Sequence, residues 1–136
     1  MSSATLLKIA AVLALLQGIA HATLIVFASP KHGAEEVAVI DTMKSRRFNF
    51  LGAQRSYWDF YFGYALIAAI ICVVEAALFW QVAGLGPGVI HTVASVFIAF
   101  NLIHAVLAWR YFFITPIIPD LLISGCLLAA ILRAAA

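Results

Sequence analysis

FYFGYALIAAIICVVEAALFW, residues 60–80, holds one charged side chain, Glu75, in an otherwise apolar run. A helix rises about 1.5 Å per residue, so a run of this length covers the ~30 Å hydrocarbon core of a bilayer. The residues do not alternate apolar with polar, as a membrane barrel strand would. In lipid the backbone must then close its hydrogen bonds within a helix. Three more runs read the same way. Ile9 to Ala28 is interrupted only by Gln17, Gly18, His21 and Thr23. Val89 to Trp109 holds His91, Asn101 and His104, and Ile117 to Leu132 holds Asp120 near its start.

The whole composition agrees. The chain has 136 residues, 65% apolar and 10% charged, with a mean hydropathy of +1.09. Soluble domains are nearer 45–50% apolar and about 25% charged. A soluble enzyme, a disordered chain and a nucleic-acid binder are excluded. Eight Lys and Arg against six Asp and Glu leave a net charge of only +2, too small and too scattered to attract a polyanion. Cys72 and Cys126 each lie inside an apolar run with no C-x-x-C spacing, and read as small buried hydrophobes.

The expected fold is all-α: one transmembrane domain over residues 1–136, an integral membrane four-helix bundle. Its spans are about 6–28, 58–81, 88–112 and 116–134. Lys8 and Ala20-His21-Ala22 resemble the start and cleavage site of a signal peptide, but the apolar run continues to Ala28, too long for a cleaved segment. The first span is therefore expected to be retained. Gln81 to Gly88 is a Gly/Pro turn, and Arg110 to Pro116 is a short link, so neighbouring helices are expected to be antiparallel. Pro116 and Pro119 suit the first turn of the last helix, where a missing N–H is tolerated.

Residues 29–57 form one long loop. Within it, about 34–45 reads as a short amphipathic interfacial helix: Val37, Ile40 and Met43 recur, acids come early and Lys44 late. An ordered loop capping the bundle is the other reading of that segment. Ser56 to Asp59 fits a capping box at the head of the second span, followed by Tyr57, Trp58, Tyr61 and Tyr64 as an aromatic belt. Lys31, Lys44, Arg46, Arg47, Arg55 and Arg110 fall on one side of the membrane, and Lys8 and Arg133 on the other. The positive-inside rule then puts the long loop in the cytoplasm and both termini outside.

Polar side chains in hydrocarbon are costly and mark candidate sites. Counting depth along alternating helices places Gln17, His21, Asp59, Asn101, His104 and Asp120 in one cytoplasm-side layer drawn from all four helices. Glu75 and His91 form a smaller set toward the other side. The leading reading is a site for a lipophilic small molecule, lipid or sterol-like, above a His/Asp/Asn floor. His21, His104 and Asp59 are the candidates for proton transfer, which an isomerase would need. Gln17, Trp58, Tyr61, Glu75, His91, Asn101 and Asp120 would line the ligand. Two alternatives stand beside it. The polar groups can instead be interhelical hydrogen bonds of a structural or interaction protein. They can also hold haem or a metal, although no H-x-x-H, H-x-x-x-H or E-x-x-H pair lies within a helix. No cofactor or metal ligand is assigned. Membrane lipids are the expected partners, nucleic acid is not, and small-residue faces leave a homo-oligomer open.

The stretches TLLKIAAVLALLQGIAH (5–21), EEVAVIDTMKSRRF (35–48) and QRSYWDFYFGYAL (54–66) resemble an uncharacterised family of small bacterial four-helix membrane proteins. That resemblance implies a bacterial inner membrane and carries no activity. The layout is also similar to the EXPERA group, which includes the sigma-2 receptor and emopamil-binding sterol isomerases. The matching features are His21 late in the first helix, a long first loop, Cys72 and Glu75 in the second helix, and His91-Thr92 early in the third. This resemblance implies a lipophilic pocket holding acidic residues. The chain departs from it at the end of the first helix, where Ser29 stands in place of an acid.

Overall fold

A computed structural model describes residues 1–135. Its elements in chain order are α1 (Ser3–His21), a π-helical segment (Ala22–Val26), α2 (Ala34–Ser45), β1 (Arg47–Phe50), β2 (Ala53–Ser56), α3 (Tyr57–Val82), α4 (Pro87–Tyr111) and α5 (Ile117–Ala134). Four helical stretches are long and apolar enough to cross a membrane: Ser3–Val26, Tyr57–Val82, Pro87–Tyr111 and Ile117–Ala134. One of these helices lies over each expected span, with ends shifted by a few residues. The chain divides into two compact units, one of Met1–Gly18 with Ile71–Ala136 and one of Ile19–Ile70.

The first unit is built on small residues. Leu7, Ala10 and Ala14 of α1, Ala76 and Phe79 of α3, Ala94 of α4 and Ile123, Leu127 and Ala130 of α5 are buried in one cluster. In lipid there is little hydrophobic drive between helices. Close packing has to supply the attraction, and alanines let backbones approach. Phe79 is the large side chain that fills the cluster, fully buried and edge-on to Phe97. Most other large apolar side chains face outward, which is the arrangement a lipid solvent favours. Gly86 precedes Pro87 at the start of α4, and α5 begins after Pro116, where the fixed proline φ suits a first turn. α4 ends at Tyr111, one residue short of the expected end at 112.

In the second unit the chain past α1 widens into a π turn, in which the Phe27 N–H donates to the carbonyl of Ala22 at 2.9 Å. α2 forms over the expected residues, with Glu35 and Glu36 in its first turn and Lys44 in its last, as the helix dipole favours. None of its residues is buried. Glu36 Oε2 accepts the backbone N–H groups of Lys31 and His32, both at 2.7 Å. Those bonds, with that from His32 foremost, and the nearby His32 ring hold the Glu36 carboxyl below its ordinary range.

Between α2 and α3 the structure corrects the expected plain loop. β1 and β2 form an antiparallel hairpin in the register Arg47 with Ser56, Phe48 with Arg55, Asn49 with Gln54, and Phe50 with Ala53. The two-residue turn is Leu51-Gly52, both at positive φ (48° and 88°), as a type I′ turn requires. Asn49 Oδ1 accepts the Gly52 N–H at 2.7 Å and fastens the turn.

Candidate functional site

Within the first unit, four helices each contribute to a set of polar groups inside the candidate spans. Asp120 in the first turn of α5 is 1% exposed, and both of its oxygens are used. Gln17 of α1 donates Nε2–H to Oδ1 at 2.9 Å. His104 Nδ1 of α4 lies 2.8 Å from Oδ2. Where the Asp120 carboxyl only accepts, Nδ1 is the nitrogen that carries the hydrogen. Nε2 is then left without a hydrogen-bond partner among the described residues. The imidazole is 43% exposed, and the Phe100 ring lies parallel to it at 6.4 Å.

A second pair is fully buried. Asn101 donates Nδ2–H to Glu75 Oε1 of α3 at 2.6 Å and to the Phe97 carbonyl of its own helix at 2.9 Å. Both hydrogens of the amide are thereby placed, which matters where no water can take them. Asn101 and His104 are three residues apart, about 60° on the helix circumference. That angle aims one toward α3 and the other toward α5. The expected single layer is therefore divided between two carboxylates, and Glu75 joins Asn101 rather than His91. His91 is exposed.

The remaining candidates belong to the second unit. His21 Nε2 lies 3.1 Å from the Ala65 carbonyl. Asp59 forms the expected capping box: its Oδ2 accepts the Ser56 N–H at 2.8 Å, and its own N–H donates to Ser56 Oγ at 3.2 Å. Arg47 reaches the same carboxylate at 3.5 Å. Asp59 is thus engaged at a helix terminus, where its role is to satisfy backbone donors. Trp58 lies under the Lys44 ammonium, 4.5 Å from the ring centroid, and close to Tyr61 and Phe62. Tyr61 is exposed.

Sequence reasoning passed over Ser124. It sits one turn beyond Asp120 on α5, 7% exposed, and its Oγ has no hydrogen-bond partner. The signal was available in the i, i+4 spacing from Asp120 on one helix face. Two open grooves of about 330 and 290 Å³ flank Trp80 and are lined by α1 and α3 side chains. Lys8 Nζ stands 5.2 Å above the Trp80 ring in the first of them. Gln17, Glu75, Asn101, His104, Asp120 and Ser124 line neither groove. Among the described residues no three His, Cys, Asp or Glu side chains come together as a metal site. Cys72 and Cys126 are free thiols, half-buried.

No family model, curated protein or solved structure matches the chain.

Proposed function

We propose that the chain is an integral membrane protein whose four spans pack as a bundle, with α2 at the membrane surface, the long loop in the cytoplasm and both termini outside. Within it, His104 is the contact for a lipophilic small molecule carrying a hydroxyl or similar polar head. The observation that carries this reading is the His104–Asp120 pair. A fully buried carboxylate fixes one ring nitrogen while the other remains available on a part-exposed ring. With Nδ1–H bound to Asp120, Nε2 accepts a hydrogen bond from a ligand hydroxyl. The same nitrogen can take a proton, which is the step an isomerase would require. Gln17 holds the other carboxylate oxygen and so fixes the direction of the pair. Asn101, Glu75 and Ser124 supply further polarity in the same unit.

A second reading has its own support. Gln17, Asp120, Asn101 and Glu75 partner one another, as interhelical hydrogen bonds of a structural protein would. Native mass spectrometry of the full chain released from membranes in mild detergent separates the two. Retention of a lipophilic molecule by the wild type, and its loss in His104→Ala with thermal stability kept, supports the ligand reading. Absence of any retained molecule, with lowered stability in Gln17→Leu and Asn101→Leu, supports the structural one.

A further inference from the structure

The β1–β2 hairpin ends in Leu51, an apolar tip that nothing among the described residues covers. Leu51 is 105% exposed and sits at φ 48°, a left-handed conformation that costs a β-carbon residue about 1–2 kcal/mol. Asn or Asp would serve such a turn at lower cost. Leu51 therefore brings its side chain to the tip at the expense of the turn.

The direction of the hairpin is fixed by its aromatic contacts. Phe48 packs on Tyr57 at 5.0 Å, and Phe50 packs on Phe60 at 4.8 Å. Moving from Phe48 toward the tip therefore moves from the first residue of α3 to nearly one turn inside it. Ser56 ends β2 and Tyr57 begins α3 with no residue between them, so the hairpin folds back along the head of the span. Its tip points the way the span enters the membrane.

Charge is distributed along the same axis. Arg47 and Arg55 lie at the open end of the hairpin, beside Arg46 and Lys44, and Phe50 and Leu51 lie at the closed end. The open end and the tip are about three residues apart, roughly 10 Å at strand rise. Cations at one level and apolar side chains ~10 Å away match the spacing of phosphate headgroups and the upper acyl chains. A two-stranded hairpin has open edges on both sides, and such edges are not found exposed in the hydrocarbon core. This limits the tip to the boundary layer.

We propose that the Leu51 tip inserts into the headgroup–acyl boundary of the leaflet from which α3 departs, with Arg46, Arg47 and Arg55 set among anionic headgroups. The hairpin is a shallow anchor, formed from strands in a chain whose spans are helices. It holds the 29–57 segment against the bilayer.

The test uses the full chain with Cys72→Ala and Cys126→Ala, reconstituted in vesicles of phosphatidylcholine and phosphatidylglycerol. An environment-sensitive fluorophore is attached at Leu51→Cys, or at Gln54→Cys on the polar face of the hairpin. The label at residue 51 is expected to emit at shorter wavelength, to be quenched by lipids spin-labelled high on the acyl chain, and to resist aqueous iodide. The label at residue 54 is expected to be quenched by iodide. Equal iodide quenching at both positions overturns the proposal. Protection from iodide at 51 without lipid quenching also overturns it, because a protein surface would then cover the tip. Hydrogen exchange of the hairpin amides gives an independent reading with Leu51→Asn, which suits the turn but removes the apolar tip. Faster exchange than wild type in vesicles supports insertion, and unchanged or slower exchange refutes it.

Discussion

Asp120 receives Gln17 on one carboxylate oxygen and His104 on the other, joining α1 and α4 through the first turn of α5. The two bonds span 103 and 16 residues of sequence. Replacing Asp120 with Ala leaves a part-buried amide and a part-buried imidazole N–H without acceptors, at a cost of about 1–3 kcal/mol. Asp120→Asn keeps one acceptor and should fall between wild type and Ala. Reversible unfolding in mixed micelles measures the order, and equal stability of all three would refute it.

The Gln17–Asp120 bond taken alone should be weaker. Interhelical hydrogen bonds in membranes average about 0.6 kcal/mol and reach about 1.7, because the unfolded helices also find partners in the bilayer. A double-mutant cycle with Gln17→Leu and Asp120→Ala should return a coupling in that range. A coupling near zero would mean that the contact contributes nothing to stability.

Glu75 and Asn101 invite a different substitution. Glu75→Gln keeps an oxygen for the Asn101 amide, whereas Asn101→Leu strands the Glu75 carboxyl in hydrocarbon. Stability should fall less in Glu75→Gln than in Asn101→Leu, as read by midpoint shifts in detergent. The reverse order would show that the charge at Glu75, rather than its hydrogen bond, is what the fold uses.

At the head of α3, Ser56→Ala removes a cap worth about 1 kcal/mol. Asp59→Ala should cost a similar amount, and the double variant less than the sum, since the two bonds are reciprocal. The Arg47 pairing adds little, because it is part-exposed. Amide exchange at residues 56 to 60 reports the fraying of this turn.

The acid sensitivity of the segment before α2 follows from Glu36. Its carboxyl is held below the ordinary range by the His32 and Lys31 backbone N–H groups. A depressed folded-state value gives order that is present above the unfolded carboxylate range. That order is lost as pH falls through the folded value. An NMR titration should show the Lys31 and His32 amide signals moving together with the Glu36 carboxyl at a pH below that of an unperturbed glutamate. In Glu36→Gln that shared step should vanish.

The four spans were legible because a run of ~20 apolar residues is a single strong signal, and residues 60–80 carry it with one interruption. The Ser56–Asp59 cap was legible because its spacing is local. The hairpin was not. Phe48 and Phe50 alternate as a strand requires, but Leu51-Gly52 lacks the Asn or Asp that marks a type I′ turn. The polar groups were half legible: Gln17, Asn101, His104 and Asp120 were on the right helices, and depth counting could not resolve which neighbour each would meet. A rotation of about 60° between Asn101 and His104 decided that, and no sequence count along a helix shows where its neighbours stand.

The π turn after His21 closes the first span, which ends at Val26 with Phe27 as its cap. Phe27 bonds to Ala22, five residues back, where an α-helix would bond four back. Deleting one residue between Ala22 and Val26 would shorten that last turn toward α geometry and leave the faces of α1 before it unchanged. The same deletion near Ala11, inside regular helix, would rotate one side of the span by about 100° against the other. The first span can thus lose a single residue at its C-terminal turn while the side chains before that turn keep their faces, which a deletion at its middle does not allow.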